Sequence, residues 1–422
     1  MDKQRWVPGD AFGLAIPADA GALKSAGVAL LDSAFHRFGA LSPDNHVTAI
    51  TQFEECPGGS TGRKLLLSLR YARPEAQLPE DLFVKFSRDF DDPRRDRGRT
   101  QMAREVRFAV LTRGDFPIPV PTAAFADYHE ASGTGVLITE RIPYGIAPVE
   151  PHYDKCLDYR LPDPLAHYEA LLSTVARLAG AQRAGRLAPG FAAGFEFDPD
   201  LVTVGKPPVY SPDQLRDRVA NYGAFAAAHP ALLPARLRST AFVDRMQREV
   251  TGIAAAADAV QKDLNSTKDY VALCHWNANV DNAWFWRTAG RLHCGLLDWG
   301  CVSQMNVAMA LWGALCSAET SMWEAHLEHL LAHFATEFEA AGGPRLDPAE
   351  IRRQLTAYAL VMGVTWLLDA PAYLRTLVPE LAVVADRDDP RIADNEAARS
   401  QLLMLTNFLH LWQSRDFAEI HR

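Results

Sequence analysis

The spacing of apolar residues changes period once along this chain, and that change constrains the fold more than any other feature. Up to residue 143 the apolar runs are short and strand-like: HVTAITQF from His46, KLLLSLRYA from Lys64, LPEDLFVKF from Leu78. A further pair lies in VPTAAFADYHEASGTGVLITERI, with its turn expected at Ser132-Gly133. Residues 19–38 and 100–112 space their apolar residues at helical intervals, and the mixed charges of 88–100 read as a solvated loop. Beyond Pro143 the period becomes helical: residues 164–186 read as a long amphipathic helix, and helices follow to the end. One stretch, YVALCHWNANVDNAWFWRTAGRLHCGLLDWG, interrupts them with short strands and loops. Strands first and helices after predict an α+β fold with segregated lobes, a β-rich 1–143 and a larger helical 144–422. A length of 422 residues also predicts two unequal domains.

Composition excludes several functions. A net charge of -9 argues against nucleic acid or an anionic membrane surface as the main partner. Six cysteines without a C-x-x-C pair form neither a disulfide framework nor a zinc ribbon, so free thiols in a reducing cytoplasm are expected. The N-terminal residues lack the apolar core of a signal peptide, and no apolar run is long enough to span a bilayer.

Phosphoryl transfer from ATP requires a Gly-rich cover for the phosphates, a lysine for their oxygens, an acid to place that lysine, metal ligands and a group facing the acceptor hydroxyl. Gly58, Gly59, Ser60 and Gly62 lie between the first two long strand-like runs. Lys85 is a single charge in the apolar LFVKF, and Glu105 on the following helix is its expected partner; an outward-facing strand lysine is the alternative. His275, Asn277 and Asn282 then form H-x-N-x-x-x-x-N, followed by Leu297-Asp298-Trp299-Gly300.

This arrangement resembles the H-G-D-x-x-x-x-N and (I/L)-D-W motifs of aminoglycoside phosphotransferases, choline kinases and ecdysteroid-kinase-like proteins. The resemblance covers roughly residues 45–340 and implies a protein-kinase-like fold with ATP and magnesium as cofactors. It implies Asn282 and Asp298 as magnesium ligands, Lys85 and Glu105 at the phosphates, and the backbone of Glu140 to Ile142 at the adenine. His275 would brace the catalytic loop. The sequence departs from the family at three places: Asn277 stands at the position of the catalytic Asp, Trp276 at that of a glycine, and Asn306 at that of an acid. An amide orients a hydroxyl but takes no proton. Asp281 is a candidate surrogate base or metal contact, with a turn-capping loop residue as the plainer alternative.

The expected function is an ATP- and magnesium-dependent transfer to the hydroxyl of a small molecule, with an apolar or polycyclic alcohol favoured by the aromatic surroundings. A catalytically weak nucleotide-binding relative is the alternative. Gly58 to Gly62 also matches the G-x-S-x-G nucleophile elbow, which would make Ser60 a hydrolase nucleophile if a helix follows. His326, His329 and His333 share one helical face, expected to be a polar surface and less readily a metal site.

Overall fold

The computed structural model describes residues 5–59, 61–74, 78–199 and 210–415; Ser60 lies outside the described residues. The architecture is α+β, with two compact units. Unit 1 comprises the described residues of Met1–Ile146 together with Leu187–Gly194 and Gly295–Val302. Unit 2 comprises those of Ala147–Arg186, Phe195–Cys294 and Ser303–Arg422.

Unit 1 opens with a short antiparallel pair, β1 (Trp6–Pro8) and β2 (Ala15–Pro17). Helix α1 (Ala20–Phe38) follows, started by the Asp19 side chain on the Ala22 amide and ended by Gly39 at φ 82°. Five strands then form one antiparallel sheet: β3 (Val47–Cys56), β4 (Arg63–Tyr71), β5 (Asp81–Phe86), β6 (Ala123–His129) and β7 (Thr134–Glu140). Their spatial order is β3-β4-β5-β7-β6. Alternation decides what each face does. Leu65, Leu67 and Leu69 of β4 and Leu82, Val84 and Phe86 of β5 are buried in one core with Leu23, Leu31, Phe35 and Phe38 of α1. The intervening Lys64, Leu66, Phe83 and Lys85 therefore belong to the opposite face, where Lys64 pairs directly across from Lys85.

The connection from β5 departs from the expected solvated loop. Residues 93–97 form helix α2 (Pro93–Arg97), followed by a 3-10 turn and α3 (Met102–Leu111). Asp92 starts α2 by accepting from the Arg94 and Arg95 amides, with Pro93 in the first turn. Some of its charges are paired, Arg88 with Asp96 at 2.7 Å and Arg63 with Asp89 at 3.1 Å, while Asp91, Arg94 and Arg97 stay exposed as expected. The loop expectation fails because partners such as Arg63, on another strand, are invisible in the local sequence.

In unit 2, α4 (Pro164–Arg183), capped by Asp163, packs against α10 (Thr320–Ala340). Between them in sequence lie α5 (Gly190–Gly194, part of unit 1), α6 (Pro212–Ala228), α7 (Thr240–Ala255), α8 (Ala257–Ser266) and α9 (Val307–Leu315). Every residue of α9 is buried, as a helix apolar on all sides requires. The strand-like stretch becomes β8 (Val271–His275), β9 (Ala283–Thr288), β10 (Arg291–Leu296) and β11 (Val302–Asn306), with β8 paired to β11 and β9 to β10. Helices α11 (Pro348–Met362), α12 (Ala370–Leu377), α13 (Pro390–Ala393) and α14 (Glu396–Ser414) complete the unit. Among the described residues no single helix is long and apolar enough to cross a membrane; α11 with its following turn passes that test only together with α12, across a 46° bend.

Asn306, read above as a departure from an acid, is a structural amide. It is fully buried; its Oδ1 caps α9 at the Ala308 amide (2.9 Å), and its Nδ2 donates to Leu264 O (3.1 Å) and Gln354 Oε1 (2.9 Å). Asn306→Asp would leave both acceptors facing a carboxylate. Flipping Gln354 offers no remedy, because its Nε2 already donates to Glu350 Oε1 at 2.9 Å. The substitution is expected to cost about 3 kcal/mol or more at neutral pH in chemical unfolding. An unchanged midpoint would show that the amide hydrogens contribute nothing.

Candidate nucleotide and catalytic-loop sites

In unit 1, three side chains converge. Lys85 Nζ lies 2.7 Å from Glu105 Oε1 and 2.7 Å from Asp298 Oδ1. The pairing of Lys85 with Glu105 matches the sequence expectation; Asp298, expected near magnesium, also takes the lysine. Exposure separates the two carboxylates: Glu105 is 9% exposed and Asp298 44%. Burial pulls the Lys85 ammonium toward neutrality, but Asp298 and Glu105 outweigh it and hold its pKa above the ordinary lysine value. Glu105 is pushed up by burial, against the pull of Lys85, and also accepts from the Trp299 backbone amide. Two carboxylates sharing one lysine leave an excess negative charge, and Asp298 is the one open to solvent.

Local structure holds this cluster. Asp298 has φ 65° and ψ 60°, a left-handed conformation that is uncommon for a residue with a Cβ. The next residue anchors the turn: the Trp299 ring stacks on Phe108 with centroids 3.9 Å apart and planes at 15°, and its Nε1 donates to Leu296 O at 3.1 Å. Phe108 follows Glu105 by three positions on α3, so the two share a helix face. One helix thus presents the acid and the platform for the turn carrying Asp298.

The Gly-rich connection joins β3 to β4. Gly58, Gly59 and Gly62 have φ of 110°, 72° and 52°. At Gly62 a Cβ would come within 1.8 Å of the Phe86 carbonyl oxygen, so the position admits only glycine. Because strand β4 follows, and no helix, the nucleophile-elbow reading fails. Two cations that the sequence reading did not single out occupy the loop. Lys64 Nζ donates to Gly58 O at 2.9 Å, and Arg95 Nη2 donates to Gly58 O at 3.1 Å and also to Gly62 O. Glu140, at the end of β7, accepts the Thr122 amide at 2.9 Å, and the Ile142 carbonyl accepts from the Tyr144 amide at 2.9 Å.

In unit 2, the loop after β8 is built by its own polar groups. His275, fully buried, accepts the Asn277 amide on Nδ1 at 3.2 Å. The Asn277 carbonyl accepts from the Asn279 amide and from Asn282 Nδ2, both at 2.9 Å. Since the Asn282 nitrogen is committed to this loop, its Oδ1 is the atom left for a ligand. The Asn277 side chain is oriented by a relay absent from the sequence reading: Ser317 Oγ donates to Asn279 Oδ1 at 2.6 Å, and Asn279 Nδ2 donates to Asn277 Oδ1 at 2.7 Å. Trp276 donates its indole N–H to the Tyr358 hydroxyl at 3.1 Å. Asp281 has a buried Oδ1 with no hydrogen-bond partner among the described residues, and burial raises its pKa, with Lys155 as the opposing charge.

Among the described residues no group of three or more His, Cys, Asp or Glu is placed to hold a metal ion. His329 instead pairs with Glu169 at 2.6 Å, and His333 meets Ser173 at 2.8 Å.

No family model matches this sequence, and no curated protein matches it. Solved structures with a similar chain path include a spectinomycin phosphotransferase in complex with ADP and spectinomycin, at 10% identity, 86% of this chain, 92% of that one and a TM-score of 0.42. Plasmodium vivax ethanolamine kinase is similar at 10% identity, 85% and 81% coverage and a TM-score of 0.42. Choline kinase from Cryptosporidium parvum is similar at 12% identity, 86% and 89% coverage and a TM-score of 0.41. The fold is protein-kinase-like. That assignment rests on the antiparallel sheet order β3-β4-β5-β7-β6, the glycine-rich β3–β4 connection, and the lysine of β5 paired to an acid on α3.

Proposed function

We propose that this chain is a small-molecule kinase that transfers a phosphoryl group from ATP, with magnesium, to a hydroxyl. The observation that carries this reading is Lys85 held at 2.7 Å by both Glu105 and Asp298. A buried lysine with one buried and one solvent-facing acid is built to exchange the outer partner for phosphate oxygens, keeping Glu105 as its anchor.

The residues fit magnesium of the kind that binds with a nucleotide. That ion takes one or two protein oxygens and completes its shell with phosphates and water. In this reading Asp298 and Asn282 would offer such oxygens, and a bound ion would neutralise charge on the phosphates. Lys85 orients the phosphate chain, the glycine loop offers backbone N–H groups, and the backbone of Glu140 to Ile142 meets the adenine. Asn277, aimed by Asn279, orients the acceptor hydroxyl without taking its proton. That amide favours a second reading, a nucleotide-binding protein with slow or no transfer.

Calorimetric titration with magnesium-ATP, followed by a nucleotide-consumption screen over hydroxylated compounds, tests both. Binding with turnover on an alcohol supports the kinase, and binding without turnover supports the second reading. Asp298→Asn should remove magnesium-dependent binding, and wild type that ignores ATP would overturn both.

A further inference from the structure

The sheet register sets two lysines face to face. Lys64 of β4 is the antiparallel partner of Lys85 of β5, so the two side chains lie on one face of the sheet. Like charges directly opposite are destabilising and need a compensating anion. Lys85 has two carboxylates. Among the described residues Lys64 forms no ion pair: its Nζ donates to Gly58 O at 2.9 Å and, more weakly, to Thr61 O at 3.5 Å. Burial and then Lys85 lower its pKa, with Asp298 acting in the other direction from a distance. The ammonium lies inside the glycine loop itself, where a Cβ on Gly59 would come within 1.7 Å of it.

Arg95 reaches the same carbonyls from α2, through Gly58 O and Gly62 O. It is placed there by Asp89, which is buried, ties the connection by accepting the Asp91 and Asp92 amides, and lies 3.4 Å from Arg95 Nε. These groups line a cavity of about 410 Å³. Its acids are already engaged: Glu55, Asp89 and Asp91 by Arg63, and Asp92 by the start of α2. Among the described residues the Lys64 ammonium holds only neutral carbonyl oxygens, and Arg95, with its Nε toward Asp89, turns its Nη2 to the same kind of acceptor.

We propose that Lys64 and Arg95 are polyphosphate-binding residues, and that the terminal phosphates of the nucleotide replace the loop carbonyls as their hydrogen-bond acceptors. This rests on the nucleotide-binding reading above and adds two side chains that the motif pattern does not contain. It assigns a division of labour. Lys85 serves the phosphates from the floor of the sheet, while Lys64 and Arg95 serve them from the glycine loop. Charge-assisted bonds to phosphate are stronger than those to a neutral carbonyl, so the exchange favours the bound state.

The test is a calorimetric ladder on the full chain with magnesium: adenosine, AMP, ADP, ATP and inorganic tripolyphosphate. Lys64→Met and Arg95→Met are each expected to weaken ATP and tripolyphosphate about 10- to 100-fold and to leave adenosine unchanged. Lys64→Arg should retain most of the affinity. Lys64→Met should melt no lower than wild type, because it removes a like charge opposite Lys85. If both methionine variants bind ATP and tripolyphosphate as wild type does while Lys85→Met weakens them, the two residues are loop struts and the inference is wrong. If wild type binds tripolyphosphate through Lys64 but no nucleotide, the two residues still bind polyphosphate, and their assignment to a nucleotide falls with the kinase reading. If wild type binds neither, both fall.

Discussion

Asn277→Asp is expected to raise phosphoryl transfer, by up to the order of 10²–10⁴ if the carboxylate acts as a full general base. The loop geometry makes the substitution benign. Its turn is held by backbone atoms of residue 277: the amide donates to His275, and the carbonyl accepts from Asn279 and Asn282. The side chain contributes one accepting oxygen, to Asn279 Nδ2 at 2.7 Å, and a carboxylate accepts that bond equally well. The second carboxylate oxygen then stands where the amide nitrogen was, and it takes a proton where the nitrogen only donates one. The gain should fall short of the upper figure, because Trp276 beside it is tied to Tyr358 at 3.1 Å and shapes whatever acceptor reaches the loop. Single-turnover kinetics with magnesium-ATP decides the matter. A variant slower than wild type at equal ATP affinity would mean that the amide is itself the working group.

Lys85→Met is expected to cost about 3–5 kcal/mol of stability and to abolish phosphoryl transfer together. The lysine is 16% exposed and Glu105 9%, so the methionine leaves a buried carboxylate without a counter-charge, facing Asp298. Both carboxylates then resist coexisting in their ionised forms. The double variant Lys85→Met/Glu105→Gln should recover much of the stability, since the uncompensated charge is gone, and none of the activity. The sign with pH follows from the raised Lys85 pKa: its stabilising contribution is complete at neutral pH and is lost only as alkaline solution titrates the folded lysine. Urea unfolding of wild type, single and double variants checks it. A single variant within about 1 kcal/mol of wild type would show the pair to be energetically idle.

The strands were legible because alternation survives in a bare sequence. Leu65, Leu67 and Leu69, and then Leu82, Val84 and Phe86, mark one face whatever their partners are. Lys85 stood out for the same reason, as a charge in an apolar run. What alternation does not carry is register. Lys64 reads as an ordinary first residue of a strand until β4 and β5 are aligned, and only then does it face Lys85. The charged segment ahead of α3 failed similarly, because Asp89 is ordered by Arg63 on β4, 26 positions away. Asn279 and Asn306 were illegible as polar anchors, since an amide looks the same in sequence whether it is solvated or fully buried. The motif reading reached His275, Asn277 and Asn282 but missed Ser317, whose partner Asn279 lies 38 positions back.

The turn anchored by Trp299 also bears on how unit 1 is made. Lys85 and Asp298 are separated by 213 positions, and Gly295–Val302 belongs to unit 1 although unit 2 supplies nearly all the chain between Ile146 and Gly295. A ribosome that has released only the first 146 residues has therefore delivered the sheet and α3 but not the ring that stacks on Phe108. Until residue 299 emerges, the Phe108 face of α3 lacks the indole that covers it at 3.9 Å, and Glu105 lacks the Trp299 amide. Contacts of such long sequence separation form late, and the exposed apolar surface is a hazard while they are missing. The N-terminal segment is thus a poor candidate for expression as an independent module, and the lysine site matures only after much of the helical unit has been synthesised.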